Sequence, residues 1–209
     1  MSYPCLFQPL RLGHKQTRNR IMRLATTTNT GANGVATART MALYTRIARG
    51  GSGIVVTESM RIHKSHSGNN EHALRLYDKD IVSSLGQLAR AVQAEGALLI
   101  AQMNHGGRQH NSSIPPTLTA PSAVACPYSG GIPHQMSKAD IAEVVAGFAT
   151  SALHARQSGC DGVEIHGAQG HLIQEFVSSF SNTRDDEYGG SLAACRTFIE
   201  ITRHSGHAI

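Results

Sequence analysis

Short apolar segments alternate with amphipathic segments along this chain, and the alternation predicts a repeated order of strands and helices. Strands are predicted where apolar runs end in polar residues or glycine, at about Arg20–Ala25, Gly53–Glu58, Leu98–Ile100 and Gly162–His166. Apolar residues at helical spacing predict helices that begin near Thr37, Asp80 and Ser137 and end near Gly50, Glu95 and Gly159. Ser137 and Asp140 predict a capping box at the start of the third helix. Strands that alternate with helices form a parallel sheet with right-handed crossovers, so the predicted fold class is α/β.

Two arrangements of such a sheet are possible: a doubly wound open sheet and a closed (β/α)₈ barrel. No GxGxxG or GxxxxGK[ST] loop follows the first predicted strand, which disfavours the dinucleotide-binding and P-loop forms of the open sheet. In both arrangements, the carboxyl ends of the strands are where chemistry is done.

Polar residues gather at those strand ends. Gln102, Asn104 and His105 follow the third predicted strand, and Glu164 and His166 lie on one face of the fourth because side chains alternate along a strand. A lone histidine in this position is more simply a hydrogen-bonded strand-end residue than a catalytic one.

Composition excludes several functional classes. The chain has 209 residues, 40% hydrophobic and 16% charged, which suits one globular domain over 1–209. The net charge of +5 comes from scattered basic residues, so no nucleic-acid partner is expected. No apolar run approaches the roughly 20 residues of a spanning helix, and no membrane partner is expected. The four cysteines form no CxxC pair, which disfavours zinc and disulfide frameworks and favours a cytoplasmic location.

The run CDGVEIHGAQGHLIQEFVSSFSNTRDDEYGGS, from Cys160 to Ser191, resembles the signature of the Old Yellow Enzyme family of FMN-dependent oxidoreductases. The matching residues are His166, Gly167, Ala168, Gly170, Leu172, Phe176, Ser178, Asn182, Arg184, Asp186, Glu187, Tyr188, Gly189, Gly190 and Ser191. Two other segments are also similar to family segments: the N-terminal segment LFQPLRLGHKQTRNRIMRLATTT and the segment QMNHGGR after the third predicted strand. The resemblance implies the barrel, with FMN as cofactor and NADH or NADPH as reductant.

The resemblance also implies a role for each matching site residue. Ala25, Thr26 and Thr27 would pack against the flavin ring, with Thr27 tuning it by a hydrogen bond. Gln102 would bond the pyrimidine edge of FMN, because an amide offers both a donor and an acceptor.

In the reaction that the resemblance implies, hydride passes from the reduced nicotinamide through the flavin to an activated alkene: an enone, a nitroalkene or an enoyl thioester. His166, placed beside the flavin, would donate to the substrate oxygen, and Gln169 stands where the family has a second donor. His171 replaces the family's tyrosine proton donor, and histidine is a general acid near neutral pH. The alternative for His171 is a helix-start residue that faces solvent.

The likeness fades after Ser191, where Ala194, Cys195 and Thr197 depart from the family pattern, although Ile199–Arg203 still predicts a helix. Because a complete barrel takes about 250 residues, we expect the N-terminal portion of a barrel, truncated after about four β/α units. The family's phosphate site follows strands 7 and 8, so this chain is expected to bind FMN weakly or not at all. Exposed sheet edges make self-association into a homo-oligomer an expectation.

Two rival functions stay open. One is a non-catalytic fragment that keeps the family's sequence without its activity. The other is a metal-dependent barrel hydrolase using His105, His110, His166 and His171, which no HxH or HExxH spacing supports. His63 and His66 at i, i+3 are more simply loop histidines than metal ligands.

Overall fold

The structure, a computed structural model, describes residues 3–65, 70–109 and 118–207 and has an α/β architecture. Its strands are β1 (Leu10–Leu12), β2 (Lys15–Thr17), β3 (Met22–Arg23), β4 (Ile54–Val56), β5 (Met60–Arg61), β6 (Leu98–Asn104), β7 (Thr119–Ala120), β8 (His134–Gln135) and β9 (Gly162–Ile165). Its helices are α1 (Ala38–Arg49), α2 (Ile81–Ala94), α3 (Lys138–Gln157), α4 (Leu172–Val177) and α5 (Leu192–His207).

The central sheet has the strand order β3-β4-β6-β5, and β9 also pairs with β6. Strands β3, β4 and β6 are parallel, with Met22 opposite Ile54 and Ile54 opposite Leu98. The helices α1 and α2 separate these strands along the chain, which confirms the predicted α/β class with a parallel sheet. The first strand is shorter than expected, since regular pairing covers only Met22–Arg23 of the predicted Arg20–Ala25.

Two other sheets in the described ranges have two strands each. Strands β1 and β2 form an antiparallel N-terminal hairpin. The parallel pair β7 and β8, and the two-residue strand β5, were not predicted, because segments this short carry no periodic pattern.

The chain divides into two compact units. The first comprises residues 1–60, 71–102 and 154–164, and the second comprises residues 61–70, 103–153 and 165–209. Each is described by itself below.

In the first unit, helix α2 buries the predicted apolar face, with no exposed surface on Ile81, Leu85, Leu88 or Val92. Helix α1 begins at Thr37, whose hydroxyl accepts a hydrogen bond from the backbone N–H of Thr40 in a reciprocal capping box. The two helices pack against each other.

Asp161 ties three segments of this unit together. Its Oδ1 atom lies 2.9 Å from Nζ of Lys15, and its Oδ2 atom accepts from the backbone N–H of Leu99 at 2.9 Å and from Nε2 of Gln93 at 3.0 Å. A buried carboxylate is stable only with such partners, so Asp161, directly before β9, links the hairpin, α2 and β6.

Arg23 is a charged residue in strand β3, and two neighbouring groups stabilise its charge. Its Nη1 atom donates to the carbonyl of Val56 at 2.9 Å, and its guanidinium lies 5.2 Å from the ring centroid of Tyr44. The charge is therefore satisfied by a carbonyl and a cation–π contact.

In the second unit, the predicted capping box starts α3: the backbone N–H of Asp140 donates to Oγ of Ser137 at 3.1 Å, and the Asp140 carboxylate accepts from the backbone N–H of Ser137 at 2.8 Å. Helices α4 and α5 pack through Phe176 and Phe198, whose rings stack at 4.2 Å. Helix α5 begins at Leu192, well before the predicted Ile199–Arg203, and Oγ of Ser191 accepts from the backbone N–H of Ala194 near its start.

Candidate active site

The predicted site residues fall into two groups. Ala25, Thr26, Thr27 and Gln102 belong to the first compact unit, whereas His166, Gln169 and His171 belong to the second. Within each unit, the structure shows which of these side chains are held in place and by what.

The threonines after β3 are anchored by a residue that the sequence did not single out. Thr28 donates its backbone N–H to Oε2 of Glu58 at 3.1 Å and its hydroxyl to Oε1 of Glu58 at 2.7 Å. Glu58 is 2% exposed. Thr26 and Thr27 stay exposed and Ala25 is half-buried, so the anchor leaves these three side chains available to a ligand.

Glu58 is fixed in turn by Tyr44. The backbone N–H of Glu58 donates to the Tyr44 hydroxyl oxygen at 2.5 Å. Burial, followed by the nearby Glu58 carboxylate, raises the pKa of Tyr44 to about 12. Tyr44 is therefore a neutral structural support at physiological pH, and the polar end of the predicted second strand was the signal for this network.

Gln102 is held at its backbone and at its side chain. Its backbone N–H donates to Oγ1 of Thr57 at 3.0 Å, and its Nε2 atom donates to Oε1 of Glu164 at 2.6 Å. Gln102 is 6% exposed, and among the described residues its Oε1 atom accepts no hydrogen bond. An amide acceptor that the described residues leave unused, at the end of a parallel strand, fits an N–H group of a flavin's pyrimidine edge.

His166 and His171 come together in the second unit. The backbone N–H of His166 donates to the carbonyl of Met103 at 3.0 Å, which fixes the residue directly after β9. The two imidazole rings meet edge to face, with centroids 4.8 Å apart and an interplanar angle of 70°. Both residues are half-buried.

His171 stands at the start of α4, in the N-cap position. Its Nδ1 atom lies 2.8 Å from Nδ2 and 3.0 Å from Oδ1 of Asn104. Burial, and then the neighbouring His166, lower the pKa of His171 to about 4. His171 is a helix-start residue, as the alternative expected, but its ring is half-buried and paired with Asn104 instead of facing solvent.

Gln169 has a left-handed backbone, with φ of 59°, followed by Gly170 with φ of 72°. Its side chain is exposed, and its carbonyl accepts from Nε2 of Gln109 at 2.6 Å. The N–H of Gly170 donates to Oε1 of Gln174 at 2.6 Å. A non-glycine residue in this region is uncommon and marks a turn held by its surroundings.

A second histidine network was missed by the sequence. Nδ1 of the buried His105 accepts from the N–H of Gly107 at 3.1 Å, which leaves Nε2–H to donate to Oγ of Ser65 at 2.9 Å. Ser65 then lies 2.7 Å from Nδ1 of His63. Because Nδ1 of His105 faces a backbone amide that cannot accept its proton, this chain of bonds positions the loop after β5 and is no proton path.

Among the residues that the structure describes, no three metal-binding side chains cluster as a metal site would require. His105, His166 and His171 are among them, whereas His66 and His110 lie outside the described residues. The metal-dependent hydrolase therefore has no support in the described part of the chain.

Glu175 is a buried acid that sequence reasoning also missed. It is 1% exposed, and its Oε1 atom accepts from the backbone N–H of Arg108 at 2.9 Å. Burial raises the pKa of Glu175 to about 8, although the Arg108 side chain opposes this. The Nε atom of Arg108 is 4.0 Å away, too far for a hydrogen bond, so burial dominates and Glu175 is protonated at pH 7.

The tail of the family signature is structural. Asn182 donates Nδ2 to the carbonyls of Phe176 and Tyr188, each at 2.7 Å. Arg184 donates Nη1 to the carbonyl of Met136 at 2.6 Å and Nη2 to Asp186 at 2.6 Å. These hydrogen bonds hold the segment after α4 in place.

No helix in the described ranges combines the length and the apolar character needed to cross a membrane.

Comparison with known proteins gives a consistent picture. The profile of the NADH:flavin oxidoreductase / NADH oxidase family matches residues 5–209. The chain is 38% identical over 194 residues to a metal reductase of Desulforamulus reducens, covering 92% of this chain and 29% of the relative. It is 34% identical over 224 residues to a probable flavin mononucleotide-dependent alkene reductase of Leishmania infantum, covering 96% of this chain and 59% of the relative.

Solved structures agree. A 2-naphthoyl-CoA reductase complex superposes with a TM-score of 0.93 at 27% identity, over 99% of this chain and 34% of that one. The old yellow enzyme homologue from Zymomonas mobilis superposes with a TM-score of 0.86 at 27% identity, over 98% of this chain and 60% of that one. These overlaps confirm the predicted barrel class, and the chain spans less than two thirds of the length of each of these proteins.

Proposed function

Since this chain belongs to the NADH:flavin oxidoreductase / NADH oxidase family, we propose that it acts as an FMN-dependent oxidoreductase that draws hydride from NADH or NADPH and reduces an activated alkene. Family membership confirms the resemblance to the Old Yellow Enzymes found in the sequence. The step from family to reaction and substrate is the proposal.

The observation that carries the proposal is the pair of half-buried imidazoles, His166 and His171, whose centroids lie 4.8 Å apart after β9. Reduction of an alkene conjugated to a carbonyl or nitro group builds negative charge on that oxygen. Hydrogen-bond donors fixed in advance stabilise such charge without reorganising. The backbone bond of His166 to Met103 and the side-chain bond of His171 to Asn104 supply this fixation.

FMN, when bound, would supply the acceptance of hydride from the nicotinamide and its delivery to the substrate. In the first unit, Ala25, Thr26 and Thr27 would contact the flavin, and Gln102 would accept a hydrogen bond from it. The resemblance adds His166 to the residues that touch the cofactor. The free acceptor on Gln102 and the exposed Thr27 support this assignment.

The role of His171 is narrowed by its pKa of about 4. At pH 7 roughly one molecule in a thousand would carry the imidazolium. A neutral imidazole donates a hydrogen bond well but yields a proton poorly. We therefore assign His171 a donor role beside His166, with Gln169 contributing its exposed amide, and we take water as the source of the proton.

The proposed substrates are electron-poor alkenes: enones, nitroalkenes and enoyl thioesters. The names of two relatives, an alkene reductase and a naphthoyl-CoA reductase, support substrates with a conjugated carbonyl or thioester. Self-association into a homo-oligomer stays a prediction that size-exclusion chromatography checks.

The proposal is tested by mixing the purified chain with excess FMN and NADPH and measuring the reduction of 2-cyclohexenone. His166→Ala should abolish the reaction, whereas His134→Asn, at an exposed position of the same unit, should leave it unchanged. Equal rates of 2-cyclohexenone reduction in the two variants would contradict the proposal. No reduction by the unaltered chain in this assay would contradict it as well.

A further inference from the structure

The contact between Gln102 and Glu164 has a consequence beyond holding two strands together. The two residues come from β6 and β9, sixty-two positions apart, and their side chains meet at 2.6 Å. Glu164 is half-buried, and the proposed reaction gives it no part.

The chemistry of the pair fixes which way the Gln102 amide faces. An ionised carboxylate only accepts hydrogen bonds, so the atom that meets Oε1 of Glu164 must be Nε2. The amide oxygen then points away, and among the described residues nothing donates to it. Because the oxygen and nitrogen of an amide are nearly the same size, sterics alone would allow the reverse orientation. The charge of Glu164 removes that freedom, since charge-assisted bonds are about twice as strong as neutral ones.

We infer that Glu164 is a positioning residue that sets Gln102 to present an acceptor, so that the site selects a ligand edge carrying an N–H donor. This inference rests on the proposed function. In FMN the donor on the pyrimidine edge is N3–H. A flavin methylated at N3 keeps its carbonyls and its phosphate, but it loses the donor and places a methyl group against the Gln102 oxygen, which would stay unpaired.

The first test compares FMN with 3-methyl-FMN by fluorescence titration of the full chain. The unaltered chain should bind FMN about tenfold more tightly than 3-methyl-FMN, as expected when a buried acceptor loses its donor. In Glu164→Gln, the new amide can pair with Gln102 in either orientation, so the preference should be about threefold smaller than in the unaltered chain. Glu71→Gln makes the same change at a side chain that is 79% exposed in the same unit, and should keep the tenfold preference.

The second test needs no flavin. In the ¹⁵N-labelled chain, one N–H of the Gln102 side chain should be shifted downfield and protected from exchange by the Glu164 carboxylate. Both effects should disappear in Glu164→Gln and persist in Glu71→Gln. A role in packing alone would leave this resonance unmoved, because the two side chains have nearly the same shape.

The outcomes separate the two claims. An unchanged Gln102 resonance in Glu164→Gln overturns the positioning role, whether or not flavin binds. A preference for FMN that is as large in Glu164→Gln as in the unaltered chain overturns it as well. If the unaltered chain binds neither flavin while the resonance behaves as expected, the proposed function fails and the orientation of Gln102 by Glu164 stands.

Discussion

Nδ1 of His171 lies 2.8 Å from Nδ2 and 3.0 Å from Oδ1 of Asn104, so one amide can serve either tautomer of the imidazole. An amide has no charge with which to stabilise an imidazolium, and burial lowers the pKa of His171 to about 4. This pairing holds the ring in place and keeps it neutral. It favours a neutral hydrogen-bond donor over the general acid that the family resemblance suggested for His171.

Substitution of His171 should distinguish a hydrogen-bond donor from a proton donor. Glutamine can donate but cannot titrate, so His171→Gln should keep alkene reduction within about tenfold of the unaltered chain. His171→Phe should lose about a hundredfold, because one donor to a developing charge is lost. Single-turnover rates of alkene reduction measure this. Equal losses in the two variants would make His171 the general acid.

The depressed pKa of His171 also predicts a pH dependence of stability. The unfolded chain takes up this proton near pH 6.5 and the folded chain only near pH 4. Between these values the unfolded state binds more protons, so the contribution of His171 to stability is lost as pH falls. Urea unfolding at pH 7 and pH 4.5 should show a smaller difference in His171→Gln than in the unaltered chain. An identical difference would contradict the assigned pKa.

Glu175 should act in the opposite direction, because its pKa is raised to about 8 by burial. Above pH 4.5 the unfolded chain loses this proton while the folded chain keeps it, so stability falls as pH rises toward 8. Glu175→Gln mimics the protonated acid and retains the acceptor for the Arg108 N–H. Its gain in unfolding free energy over the unaltered chain should grow from pH 5 to pH 8. Glu143→Gln, at a side chain 65% exposed, is the control and should show no such growth.

Gln169 carries a left-handed backbone at φ of 59°, which asparagine tolerates better than glutamine. Gln169→Asn should therefore stabilise the fold by about 0.5–1 kcal/mol. Asparagine also carries an amide donor, on a shorter side chain, so alkene reduction should be retained. Gln8→Asn, at another exposed position, should change neither quantity. A loss of stability in Gln169→Asn would contradict the turn geometry.

The sequence predicted what local periodicity controls. The order of strands and helices, the buried face of α2 and the Ser137–Asp140 capping box follow from spacing within one segment, and all are present. The candidate residues at the strand ends also followed from side-chain alternation and the family resemblance.

Contacts between residues that are far apart in the sequence could not be predicted from it. Nothing in the first strand indicates that Arg23 meets Val56 and Tyr44. Likewise, nothing in the third or fourth predicted strand indicates that Gln102 meets Glu164. The neutrality of His171 depends on burial, which a composition or a motif does not encode. The left-handed turn at Gln169 was missed because glutamine there contradicts the usual residue preference.

The most direct test of the account is titration of the purified chain, residues 1–209, with FMN, measured by flavin fluorescence. We predict saturable, weak binding that Gln102→Leu weakens by about tenfold and that Glu71→Gln leaves unchanged. Absence of saturable binding, or equal affinity in Gln102→Leu and the unaltered chain, would contradict the central claim that these strand ends form a flavin site.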